Sequence, residues 1–449
     1  MKRGLVLVAV LVALVGARAA RASDWLPHPA DATWTYSWSD TQYLKTPVKE
    51  KATVGEQKGA SFTLHWTTAD VDNPADAISS TGDVQFQETP AGLINTNWSS
   101  SPPPADFPVL CATLACNNSL SSTWYHLIWG GRSPVLPEPL LQGAEWTSTG
   151  GAQGDVSSAS RYAGREQVSV PAFPGPVTAA KVVSTITQAG ALGDPYGSGT
   201  RTVWWVYGVG PVKTTFQHAG GAGAPVTTIV LESTNQTAKA PPDDANYFPI
   251  DKGRSFTYSW TNSKRMPKPS VQQFTIDSAA QASARFTVKS LSGPLKVAGT
   301  YGFSTRADGV TNLWGDTQAA TRLKFPALGP SSLPASKRRH FFTPFDLMTF
   351  GFNPLLPAYA KVGASWGSSE QSQDWLNYGV AGSTTITGAQ SVKVKAGTYR
   401  ALVVRSTLKQ TGFAFGSGSR TCWFAPGVGL VKLVFRHADG SVSTVERTK

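Results

Sequence analysis

GSGSRTCWFAPGVGLVKLVF, Gly416 to Phe435, reads as a glycine-rich loop, a short strand, a tight turn and a second strand. Arg420 to Phe424 carries the β-branched and aromatic residues that suit a pleated, half-buried surface. In Ala425-Pro426-Gly427-Val428, proline pre-sets φ at the first central position and glycine supplies φ > 0 at the second, the chemistry of a type II turn. With Pro426-Gly427 as a two-residue loop, Trp423 pairs with Leu430, Thr421 with Lys432 and Arg420 with Leu433. Arg420 then shares a face with Cys422, Phe424, Val431 and Phe435, and Lys432 lies on the opposite face beside Trp423. The two cations therefore do not make a joint anion site, and Lys432 is expected to lay its stem along Trp423.

The stretch occurs twice. Gly197 to Phe216, GSGTRTVWWVYGVGPVKTTF, repeats the design 219 residues earlier. Matches continue in the same order: Thr33 to Trp38 with Ser255 to Trp260, Gly92-Leu93 with Gly309-Val310, Pro134 to Pro137 with Pro354 to Pro357, and Gly143 to Trp146 with Gly363 to Trp366. The chain is a tandem duplication. Residues 23–235 and 246–449 are the expected repeats, and the polar, Pro241-Pro242-bearing segment 236–245 is the expected linker.

Each repeat reads as all-β. Ser, Thr, Gly and Pro are dense, helical periodicity is nearly absent, and stretches such as Ala60 to Trp66 alternate, with Phe62, Leu64 and Trp66 on one face. Turn signals recur every roughly 8 to 12 residues, the spacing of a large curved antiparallel sheet, a sandwich or a barrel, and a half-barrel or barrel-like sheet is expected in each repeat. One segment per repeat breaks the alternation: Thr123 to Trp129 and Pro344 to Phe350. Both are short and apolar, and are expected to be a short helix or apolar loop plugging the sheet. Trp124, Leu127, Ile128 and Trp129, with Phe345, Leu347, Met348 and Phe350, are thus the candidate contacts for an apolar ligand, either as permanent core or as a lid. Trp204 and Trp423, in matching strand positions, are expected to be core anchors.

Residues 1–22 have the form of an export signal: Lys2 and Arg3, then the apolar run Leu5 to Val15, then Ala-Arg-Ala cleavage sites. No later apolar run reaches the length of a membrane span, so a soluble, secreted or cell-envelope protein is expected. Four cations (Lys2, Arg3, Arg18, Arg21) lie in this segment, and its removal lowers the net charge from +12 to +8. The densest remaining cluster, Lys337-Arg338-Arg339, lacks the basic stripe and module of a nucleic-acid binder. Weak attraction to an anionic envelope is compatible with the charge.

The chemistry-bearing residues do not assemble into a motif. The 6 histidines show no metal-ligand spacing, and His218 and His437 sit at equivalent strand ends. No Gly-x-Ser-x-Gly elbow is present, and the Gly-Ser-Gly loops lack the Lys-Ser/Thr of a phosphate loop. No catalytic residue, metal or cofactor is assigned. Of the 3 cysteines, Cys111 and Cys116 are expected to form a local disulfide in an exported chain, contributing roughly 2 kcal/mol. Cys422, matching Val203, is expected to be a small buried apolar residue.

Trp423 to Lys432, with the Thr-Trp-Thr-Tyr start at Thr33 and the Ala-Gly-Thr-Tyr strand start at Ala396, resembles a hairpin found near the end of many secreted or lipid-anchored bacterial proteins, mostly uncharacterised. Their sheet is similar to that of the LolA-like lipoprotein carriers, which hold acyl chains on an apolar concave face. The likeness implies a curved sheet and, by shape alone, lipid binding. Two function classes follow: a non-catalytic envelope or extracellular protein that binds a lipophilic ligand on a concave face, or a structural, adhesive cell-surface protein without a small ligand. A solid core favours the second.

Overall fold

A computed structural model describes residues 24–69, 80–100, 108, 110, 120, 122–131, 134–150, 155–189, 195–280, 282–326, 340–367 and 380–449. The export signal, Cys111, Cys116 and the Lys337 to Arg339 cluster lie outside the described residues.

The first repeat forms β1 (Thr33–Asp40), β2 (Leu44–Lys58), β3 (Ser61–Ala69), β4 (Thr81–Thr89), β5 (Gly92–Ser100), a helix α1 (Thr123–Ile128), β6 (Leu136–Pro137), β7 (Glu145–Gly150), β8 (Val156–Val168), β9 (Val177–Gln188), β10 (Gly199–Val206), β11 (Gly210–His218) and β12 (Val226–Thr234). These make one 12-stranded antiparallel sheet in the order β6-β5-β4-β3-β2-β1-β12-β11-β10-β9-β8-β7. Each strand pairs with its sequence neighbour, and the first and last strands pair in the middle, Trp34 opposite Thr234. The two edges, β6 and β7, are joined only by residues 138–144. Seven residues reach at most about 25 Å, so the edges are drawn together and the sheet is rolled nearly into a barrel.

The second repeat follows the same plan: β13 (Ser255–Asn262), β14 (Met266–Ala280), β15 (Ser283–Ser292), β16 (Lys296–Arg306), β17 (Gly309–Ala320), helix α2 (Pro344–Thr349), β18 (Ser365–Gly367), β19 (Val380–Val394), β20 (Gly397–Gln410), β21 (Gly418–Ala425), β22 (Gly429–His437) and β23 (Val442–Arg447). Its 11-stranded order is β17-β16-β15-β14-β13-β23-β22-β21-β20-β19-β18. A bridge from Val310 to Leu356 stands where β6 stands in the first sheet.

Alternation decides which face turns inward. Along β1 every second residue, Trp34, Tyr36, Trp38 and Asp40, is buried. The phenol of Tyr36 donates to Pro211 O at 2.8 Å, and its counterpart Tyr258 donates to Leu430 O at 2.9 Å. The repeated Thr/Ser-x-Thr-Tyr start, Thr33 to Tyr36 and Ser255 to Tyr258, is thus the element that fastens the first strand to the second strand of the organising hairpin.

That hairpin differs from its expected register. The Val428 amide donates to Ala425 O and Gly427 has φ 66°, as the turn chemistry requires. Ala425, however, pairs with Gly429, giving a three-residue loop, and a bulge follows at Trp423/Phe424. Trp423 then faces Lys432, Cys422 faces Leu433 and Arg420 faces Phe435. The bulge turns Leu430, Leu433 and Phe435 into the main core and leaves Val431 in a small outer cluster with Ala425 and Trp423. Trp423 is accordingly half-buried on the outer face, not a core anchor. The expectation fails there because Arg420, Cys422 and Phe424 take the inner face, so the residue between the last two must point out. Trp204 is buried, but part of its cover is the ammonium groups of Lys181 and Lys213, 5.5 and 5.2 Å from the ring centroid.

The expected disulfide is also corrected. Among the described residues there is no disulfide bond. Cys422 is a free, buried thiol whose pKa burial raises to about 11. No described helix is long and apolar enough to cross a membrane.

Candidate functional site

The two short helices occupy the inside of the two sheets, and every residue of both is buried. Trp124 is 0% and Phe345 2% exposed. Trp124 meets Trp34, Tyr36 and Phe86 edge-on. Phe345 stacks on Phe274 at 4.0 Å and is ringed by Phe286, Phe303 and Tyr301. Leu127, Ile128, Leu347, Met348 and Phe350 are buried with them, and Trp129 is packed against the first core. The structure brings all eight candidate residues together, four into each core.

Short helices leave their terminal amides and carbonyls without intrahelical partners, and a buried end must find others. At the start of α1, Ser122 Oγ accepts from the Tyr125 amide at 3.2 Å, and the Glu50 carboxyl, from β2, accepts from the Thr123 amide at 2.9 Å. At the start of α2, Thr343 and Asp346 form a capping box, with Tyr301 Oη donating to Asp346 Oδ1 at 2.7 Å. Gln272 stands on β14 where Glu50 stands on β2, opposite Tyr258 and Tyr36 respectively, and its amide donates to Phe342 O at 2.8 Å.

The ends of the helices are held by the hairpin. Arg201 donates to the carbonyls of His126 and Trp129. Arg420 donates to those of Leu347 and Phe350, both at 2.7 Å. Each guanidinium is buried, with 7% and 2% of the residue exposed, and complements the negative end of the helix. Burial lowers Arg201 to about 10 and also lowers Arg420. Sequence reasoning missed this role. The signal that could have found it is an arginine repeated on the apolar face of an otherwise hydrophobic strand.

The Gly-Ser-Gly loop completes the clamp. Ser198 and Ser417 accept from the amides of Gln188 and Gln410. A Cβ on Gly416 would lie 2.1 Å from Gln410 Oε1 and 3.1 Å from Phe350, the residue at the end of the plug. Gly418, at φ 135°, lies against Arg436 O. The loop is shaped for strand closure and for the plug, not for a phosphate. His218 and His437 end β11 and β22, as expected. Each is buried, bonds a carbonyl through Nδ1 (Tyr196 O and Phe415 O) and a hydroxyl through Nε2 (Thr227 and Ser443, both at 2.8 Å). Burial lowers His437 to about 4. Among the described residues, no three His, Cys, Asp or Glu side chains gather as metal ligands.

No protein-family profile matches this chain, and no curated protein matches it. Two solved structures are similar. A candidate lipoprotein from Parabacteroides distasonis is 14% identical, with a TM-score of 0.26, over 47% of this chain and 98% of its own. A candidate exported protein with a YmcC-like fold from Bacteroides fragilis is 11% identical, with a TM-score of 0.25, over 46% of this chain and 97% of its own.

Proposed function

We propose that this is a non-catalytic exported protein of the cell envelope or its exterior, in which each curved sheet is permanently filled by its own helix. It works through its outer surfaces, not by carrying a lipid inside either sheet. The observation that supports this reading is that both plugs are pinned at both ends. Displacing α2 would uncover Phe345, Leu347, Met348 and Phe350, each buried to 2% exposure or less, at about 1.5–3 kcal/mol apiece. It would also strand the Arg420 guanidinium inside an apolar core. A lipid entering the sheet would have to replace all of these contacts. The export-signal form of residues 1–22 supports the location.

The test is binding of a fluorescent fatty acid and a fluorescent phospholipid to the wild-type protein, with native mass spectrometry of protein from its own host. The expected result is no saturable binding and no co-purified lipid. Stoichiometric binding that disappears in a folded Phe345→Asp variant would overturn the reading and make the eight helix residues ligand contacts beneath a lid.

A further inference from the structure

The two repeats meet through equivalent loops, and a cleft of about 420 Å³ lies along that contact. Pro134, Pro139 and Trp146 from the first repeat and Ile250 from the second are among the residues lining it, as are Glu138, Glu145 and Asp251. Glu145 and Asp251 are exposed, whereas Glu138 is 2% exposed. Both carboxyl oxygens of Glu138 are buried. The Tyr359 hydroxyl, which accepts from the Leu140 amide at 3.0 Å, keeps its own proton for the Glu138 carboxyl, and among the described residues no cation pairs with that carboxyl. Asp24 and Glu88 add further negative charge nearby. A carboxyl buried in this way is costly unless something pairs with it. The fold itself does not require it: in the alignment of Pro134 to Pro137 with Pro354 to Pro357, the residue after the last proline is Glu138 in one repeat and Ala358 in the other.

Clefts between domains, apolar with a few convergent polar groups, are where small ligands bind. We propose that this cleft binds a small organic ammonium compound, its charged nitrogen on the Glu138 carboxyl and its apolar body against Trp146 and the prolines. Glu145 and Asp251 extend the negative field to the mouth, where Lys252 is the one cation among the described lining residues, so a neutral or anionic ligand of the same shape is disfavoured. Burial raises the free Glu138 to about 8. An ammonium group beside it therefore displaces the carboxyl proton to the buffer at neutral pH. This site is separate from the plugged interiors and does not rest on the reading proposed for them.

Calorimetric titration of the full-length mature chain with n-pentylamine and 1,5-diaminopentane tests the proposal, with n-pentanol as the neutral isostere. Expected are one amine site per chain, proton release seen as a dependence on buffer ionisation heat, and at least about tenfold weaker binding of n-pentanol. Glu138→Ala, which installs the residue of the other repeat, and Glu138→Gln should each remain folded and weaken amine binding by at least about tenfold. No amine binding up to about 10 mM, equal binding of amine and alcohol, or amine binding unchanged in either folded variant would overturn it.

Discussion

One arginine clamps the end of each plug, and its contribution can be measured alone. Removing the Arg420 side chain leaves two buried helix carbonyls without donors. Arg420→Ala should therefore lose about 3 kcal/mol, and Arg420→Lys should recover only part of that, because an ammonium lacks the planar fork. Urea titration followed by far-ultraviolet circular dichroism checks both. Trp423 is half-buried on the outer face while Trp260 is 0% exposed. Trp260→Ala should cost about 3–5 kcal/mol, and Trp423→Ala less than half as much. Equal losses would mean that the outer cluster is as tightly packed as the core.

Within the hairpin element, the backbone shows which glycines the fold requires. Gly427 has φ 66°, but no atom stands within 4 Å of where its Cβ would be, whereas a Cβ on Gly418 would lie 2.0 Å from Arg436 O at φ 135°. Gly427→Ala should thus cost about 1–2 kcal/mol, the left-handed penalty alone. Gly418→Ala should cost clearly more and shift strand pairing, seen as lost amide protection in β21 and β22. The hairpin was legible because turn chemistry is local. Its bulge was not, because the choice between Val431 and Leu430 for the inner face depends on which core accepts them, and sequence alternation is compatible with both. Likewise the plug segments were legible as apolar and non-alternating. Their helical form follows from caps supplied by residues distant in the chain, such as Glu50.

For the whole molecule, buried ionisable groups set a pH optimum. Glu50 and Glu138 are both raised to about 8 by burial. Their contribution to stability is full below the unfolded carboxyl value and is lost as pH rises through about 8. His437, lowered to about 4, contributes above the unfolded imidazole value and loses that contribution as pH falls through about 4, and His126, lowered well below its ordinary value by burial, acts in the same direction. The melting temperature should therefore peak between about pH 5 and 6.5 and fall on both sides. Glu50→Gln, which copies Gln272, should flatten the alkaline limb and leave the acid limb unchanged. An alkaline limb unaltered in that variant would remove Glu50 from the account.

The segment between the repeats behaves as part of the same body. Asp244, within the expected linker, accepts from the Tyr162 hydroxyl and pairs with Arg165 at 3.2 Å, so this segment is docked on the first sheet. Across the contact, the Ala307 amide donates to Pro90 O, and these residues stand at equivalent places, two before Gly309 and two before Gly92. Periodicity and turn chemistry act over a few residues, and they were enough to read the duplication, the β class, the strand-forming stretches and the positions of the plugs directly from the chain. Three features needed the folded molecule: the face that each bulged strand turns inward, the hold of Arg201 and Arg420 on the plugs, and the buried Glu138 carboxyl between the repeats. Each depends on groups brought together from distant parts of the chain, where burial turns an ordinary charge into a constraint.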